Sequence, residues 1–142
     1  MKAFNKTKME ALLSVGGEIR GDAMNILDKN SSDTATLSRS IKVEKTNKNK
    51  VSVSTNSGYG LYVEFGRPSG NTPPVSELIP WVRRKLGIRN HKKAKRVAYA
   101  IAKGIGKRGT KAQPFLRPAF ERGIKRMKTQ LRQEIAKMKD IK

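Results

Sequence analysis

This sequence predicts an α+β fold: a small antiparallel β-sheet packed by a long N-terminal helix, two middle helices and a C-terminal helix. Three observations predict it. Apolar residues recur at three- and four-residue steps near both ends of the chain, which is the period of a helix face. Between residues 37 and 57 they alternate instead, which is the period of a half-buried strand. Pro- and Gly-rich breaks separate these patterns, above all at 66–74.

The length of 142 residues suits one domain, 1–142, and can bury a core. With 36% hydrophobic residues, that core is expected to be small. There are no cysteines, which excludes disulfides and thiolate metal sites. The run Ala11–Val15 is too short for a signal peptide, and Glu10 and Glu18 bracket it. No stretch approaches the roughly 20 apolar residues of a membrane span. The formal charge is +21 and lopsided. Residues 1–82 hold 11 Lys/Arg against 8 Asp/Glu; residues 83–142 hold 21 against 3. Such a field attracts polyanions, whether nucleic acid, an anionic membrane or an acidic protein surface.

Residues 3–29 read as an amphipathic helix. Leu12, Ile19, Ala23 and Ile26 form its stripe, with Met9, Gly16 and Leu27 beside them, and Lys29–Asp33 ends it. Residues 37–57 read as a hairpin. Leu37, Ile41 and Val43 share one parity, which Arg39 breaks; Val51, Val53 and Thr55 form the return strand; Asn47-Lys48-Asn49 is the turn. Ser57-Gly58 closes the hairpin. Tyr59, Tyr62, Val63 and Phe65 are too apolar for a free loop, so they are expected to cover the sheet or the first helix. Glu64 among them needs a partner if buried.

Residues 66–74 form a loop. A helix over Ser76–Leu86 follows, with Ser76 as N-cap, Pro80 kinking it or delaying its start, and Gly87 ending it. Its stripe is Leu78, Val82 and Leu86, with Trp81 alongside. The next helix, 93–105, buries Ala94, Val97, Ala98, Ile101 and Ile105, and Gly106 and Gly109 stop it. Pro118 suits the first turn of a last helix, along which Phe120, Ile124, Met127, Leu131, Ile135 and Met138 repeat. This stripe packs on the sheet, with its last turns free for a neighbouring subunit.

The candidate chemistry is thin. Gly104–Gly109 matches G-x-G-x-x-G but follows a helix, so it reads as a helix end and turn and not a dinucleotide site. His91, the lone histidine, has no carboxylate or cysteine close in sequence and reads as a solvated loop residue. No paired carboxylates or nucleophile elbow appear. The sequence therefore predicts no enzyme, no cofactor and no metal. Arg83, Arg84, Lys85, Arg89, Lys92, Lys93, Lys95 and Arg96 are candidates for phosphate contact, without any motif for base readout.

Two motifs carry a resemblance. One is Tyr59-Gly60-Leu61-Tyr62-Val63-Glu64-Phe65-Gly66; the other is Gln113-Pro114-Phe115-Leu116-Arg117-Pro118-Ala119. Spaced in this order, they resemble the tail-component family of tailed phages often called HK-ninety-seven gp-ten-like. Val97–Lys103 and Gly109–Phe115 look much like the same family, whereas Arg67-Pro68 departs from its more usual Gly-Thr. The resemblance implies a neck or tail-completion protein at the head–tail junction, made in the bacterial host cytoplasm and carried in the virion. It implies a homo-oligomeric ring, a hexamer or dodecamer. The implied partners are tail terminator, tail tube or head-connector proteins, with double-stranded DNA passing through the junction. On this view Phe115 and Leu116 add a short third strand, and Arg117 pairs with Glu64. The alternative is a basic protein that binds nucleic acid non-specifically.

Overall fold

A computed structural model describes residues 2–30 and 35–139. The elements in order are α1 (Lys2–Asn30), α2 (Ala35–Ser40), β1 (Ile41–Asn47), β2 (Lys50–Thr55), α3 (Gly58–Phe65), α4 (Val75–Leu86), α5 (His91–Arg108) and α6 (Leu116–Lys139). The class is α+β, mostly helical with one small antiparallel sheet. The chain forms two compact units: Met1–Ser57 with Pro114–Lys142, and Gly58–Gln113.

In the first unit, α1 lies against both strands of the hairpin and against α6. The buried line of α1 is Met9, Gly16, Ile19, Ala23 and Leu27, while Leu12 and Ile26 are only half-buried. The expected stripe is thus rotated, and Gly16 explains why. A Cβ there would stand 2.8 Å from Val43 Cγ1 and 3.2 Å from Val51 Cγ1, so the helix meets the sheet through its glycine. Arg20 Nε donates to the Ile41 carbonyl at 2.8 Å, and Lys8 Nζ donates to Asn49 Oδ1 at 3.2 Å at the hairpin turn. The expected end of α1 at Ser31–Asp33 lies outside the described residues.

The hairpin begins later than its sequence suggests. Ile41 pairs with Thr55, Val43 with Val53 and Lys45 with Val51. Leu37, expected in the first strand, is buried in α2. The parity break at Arg39 marks that change of structure. Ser40 Oγ donates to the Leu37 carbonyl at 2.6 Å and shares a 2.5 Å hydrogen bond with Thr55 Oγ1, which ties the helix end to the far strand. The turn sits where expected, with Asn49 N donating to Asn47 Oδ1 at 2.9 Å.

No third strand joins this sheet among the described residues. Leu116 opens α6, and Pro118 falls in its first turn, where a missing N–H costs no hydrogen bond. The two residues expected to pair as a strand instead end the approach to a helix. Helix α6 packs chiefly on α1, where the sheet was the expected partner. Its buried positions are Ala119 and Gly123, one residue before the expected Phe120 and Ile124. A Cβ on Gly123 would overlap Ile19 Cγ1, so the two helices approach closely there. Further along, Arg126 reaches from α6 to two carboxylates of α1, Asp22 at 2.7 Å and Glu18 at 3.0 Å. The hydrogen bond to Asp22, helped by charge attraction and by Glu18, raises the Arg126 pKa above its ordinary value despite some desolvation. Leu131 and Ile135 are exposed.

In the second unit, α4 and α5 pack through Val82, Ala94 and Ala98, flanked by Leu78, Trp81, Val97 and Ile101. Alanines at every fourth position of α5, through Ala102, are fully buried; their small side chains let α4 approach. Helix α4 starts at Val75 without a side-chain cap, so Ser76 lies inside its first turn and is not the N-cap. Pro80 is accommodated within the helix, and Gly87 ends it at φ 65°. Helix α5 outruns its expected limits. Asn90 caps it, accepting from Lys93 N at 3.0 Å. It continues through Gly106, where a Cβ would strike Thr72, and stops at Gly109. Gly106 therefore serves close packing and not termination. No helix among the described residues is long and apolar enough to cross a membrane.

Candidate functional site: a motif junction and a basic surface

The first motif forms α3. Its buried members are Gly60 and Glu64. Tyr59 and Phe65, expected as covering residues, keep 52% and 62% of their surface exposed, and Leu61 between them keeps 60%. Gly60 and Glu64, four residues apart, turn one face of the helix inward, so Tyr59, Leu61 and Phe65 fall outside it. Tyr62 is exposed and Val63 half-buried. The result is a helix that presents Tyr59, Leu61, Tyr62 and Phe65 to solvent, with Glu64 8% exposed.

The chain leaving α3 meets the start of the second motif through its backbone. Gln113 N donates to the Val63 carbonyl at 2.7 Å. One step on, Arg67 and Thr110 exchange two hydrogen bonds as an isolated antiparallel bridge, Arg67 N to Thr110 O at 3.0 Å and Thr110 N to Arg67 O at 2.8 Å. Gly66 and Gly109 flank the bridge with φ of 74° and 71°. That left-handed backbone favours glycine. The space demands it as well: a Cβ on Gly66 would lie 2.7 Å from Thr110 O and 2.8 Å from Ala112 N, and one on Gly109 would overlap the Arg67 carbonyl. Gly70 N donates to the Gly106 carbonyl at 2.7 Å and pins the same loop to α5.

Arg67 completes the junction. It is 8% exposed. Its guanidinium carbon sits 3.6 Å from the centroid of the Tyr62 ring, and Nη1 donates to the Asn71 carbonyl at 3.4 Å. In the sequence this residue stands out only as a departure from a family pattern. The signal that could have found it is the arginine itself, placed five residues after a tyrosine in a loop that must fold back.

The remaining members of the second motif lie in the first unit. Phe115 is fully buried, Leu116 and Pro118 are half-buried, and Pro114 and Arg117 are exposed. The structure thus brings Val63 and Gly66 of the first motif to Gln113 of the second.

The eight basic candidates share one unit. Arg83, Arg84 and Lys85 occupy the last turn of α4, where positive charge suits the helix C-terminus. Arg89 follows in the turn, and Lys92, Lys93, Lys95 and Arg96 begin α5. All eight are exposed. His91 is exposed as the first residue of α5, and among the described residues no group of metal-ligating side chains converges.

These features fall on and beside a recognisable segment. Residues 1–66 match the HK97-gp10-like family. Its description reads "Bacteriophage HK97-gp10, putative tail-component". The match runs from α1 through the glycine that ends α3, so it takes in the whole first motif. It agrees with the resemblance carried by that motif. It supports a phage tail component, a virion location and contact with other phage structural proteins. Comparison with curated proteins and with solved structures returned no match.

Proposed function

We propose that this protein is a non-enzymatic structural component of a tailed-phage virion. It acts as a neck or tail-completion protein at the head–tail junction. There it assembles as a homo-oligomeric ring against tail terminator, tail tube or head-connector proteins, with its 142 residues working as one module. The observation that carries this reading is the family match over residues 1–66, which ends on the motif helix. The chemistry of that helix supports it. Clustered exposed apolar side chains are uncommon on a surface that faces only water and are typical of surfaces that meet protein. Tyr59, Leu61 and Phe65 supply such a face, and the contact of buried Arg67 with the Tyr62 ring and the glycine-flanked bridge hold the loop behind it.

The test is association with particles. Triple replacement Tyr59→Ser, Leu61→Ser and Phe65→Ser is expected to leave the melting temperature near wild type and to lower incorporation into tails. Unchanged incorporation and infectivity would remove α3 from the account.

A second reading is a basic protein that binds nucleic acid without sequence preference. The charge of the second unit favours it: thirteen Lys/Arg stand against two acids, Glu64 and Glu77. Duplex binding that saturates with a defined site size at physiological salt, with no association to tail proteins, would support it over the first.

A further inference from the structure

The basic surface has a built centre. A shallow cleft opens where α4 turns into α5, lined by Pro80, Arg83, Arg84, Ile88 and Arg89. Its geometry follows from the chain. Pro80, Arg83 and Arg84 stand three and four residues apart and share the face of α4 opposite buried Val82. Gly87, in its left-handed conformation, reverses the backbone and brings Ile88 and Arg89 back beside that face. Three arginines therefore line one cleft whose other walls are apolar.

We propose that this cleft seats a phosphate of the double-stranded DNA backbone, held by the guanidinium groups of Arg83, Arg84 and Arg89. Three features of the cleft select that ligand. Guanidinium forks match phosphate oxygens two at a time, whereas an ammonium offers a point charge. The cleft is open, which suits a backbone passing across it better than a small molecule enclosed on all sides. The first turns of α5 continue the charge with Lys92, Lys95 and Arg96, which suits a ligand carrying a row of phosphates. Pro80 and Ile88 offer an apolar floor for the sugar. Trp81 belongs to the α4–α5 core and is not free to stack on a base, so contact at the cleft is to the backbone and carries no sequence preference. The inference does not rest on the tail role: failed duplex binding leaves particle association untouched, and failed particle association leaves the cleft untouched.

The test uses the full-length protein and a fluorescent duplex of arbitrary sequence, titrated at several salt concentrations. Three variants are compared with wild type. Arg83→Lys/Arg84→Lys/Arg89→Lys keeps the charge and removes the forks. Arg83→Gln/Arg89→Gln removes charge. Lys125→Gln/Lys128→Gln removes the same charge from α6. The lysine variant is expected to bind at least about fivefold more weakly. The glutamine variant is expected to bind on the order of tenfold more weakly, with the slope of log K against log salt reduced by roughly 0.9 for each phosphate no longer neutralised. The α6 variant is expected to keep the wild-type slope. A lysine variant indistinguishable from wild type would overturn the proposal, because a general positive field would then suffice. Wild-type binding to phosphatidylglycerol vesicles under conditions that leave the duplex free would overturn it in favour of a lipid phosphate.

Discussion

The Arg67 guanidinium lies 3.6 Å from the centre of the Tyr62 ring, one end on the loop and the other on the motif helix. Both residues belong to the short stretch where the family match ends and the fold-back onto Thr110 begins. A guanidinium removed from water gains more from a ring face than an exposed one does, up to about 2 kcal/mol. The contact therefore helps orient α3, the helix on which the proposed interface sits.

A double-mutant cycle measures it. Arg67→Ala and Tyr62→Leu are each expected to destabilise the protein. Their coupling energy by urea denaturation is expected to be roughly 0.5–2 kcal/mol. Additive effects would show that the ring contributes nothing specific.

Gly66→Ala should cost more than an ordinary surface change. The substitution meets both a positive φ and backbone atoms closer than 3 Å. A destabilisation of roughly 1–3 kcal/mol is expected from the strained backbone alone, read as a shift of the urea midpoint. Gly70→Ala provides the control, since nothing lies within 4 Å of its Cβ position although its φ is also positive. A larger destabilisation at Gly70 than at Gly66 would contradict the packed junction.

The α1–α6 contact carries a steric signature. Gly123→Ala is expected to lower the melting temperature in the wild-type background and to cost less when Ile19 is already alanine, because the Cβ would overlap the Ile19 side chain. Equal costs in both backgrounds would place Gly123 away from Ile19.

Arg126→Ala is expected to lower the melting temperature in low salt, with the difference shrinking as salt rises, as for any solvent-exposed ion pair. The sign with pH follows from the raised pKa. The arginine's contribution is fully present below its ordinary pKa and disappears only as pH climbs through the still higher folded value. Alkaline titration up to pH about 10 should therefore leave it in place. A deficit that is constant from low to high salt would point to packing instead of charge.

Much of this architecture is legible in the sequence, and the failures share a cause. The alternation Val51–Ser52–Val53–Ser54 and the Asn47-Lys48-Asn49 turn specify the hairpin because strand period and turn chemistry agree. Charged residues at 83–96 fall on the surface because burial would cost too much. The glycines mislead. Gly16 reads as the edge of a stripe and Gly106 as a helix stop, yet at each, as at Gly123, an added Cβ would meet another part of the chain. Such closeness is a tertiary fact that no local pattern encodes. The motif helix is hidden for another reason: Tyr59, Tyr62, Val63 and Phe65 favour strands, and two glycines weaken a helix, so propensity argues against α3. Arg67 is hidden because its ring partner becomes a neighbour only when the loop folds.

The most direct measurement is quantitative mass spectrometry of purified phage or induced-prophage particles, with heads and tails separated. A structural tail component should appear on tails or neck-bearing particles at a small, fixed copy number. Absence from particles, with abundant free protein bound to nucleic acid in the lysate, would contradict the tail-component role.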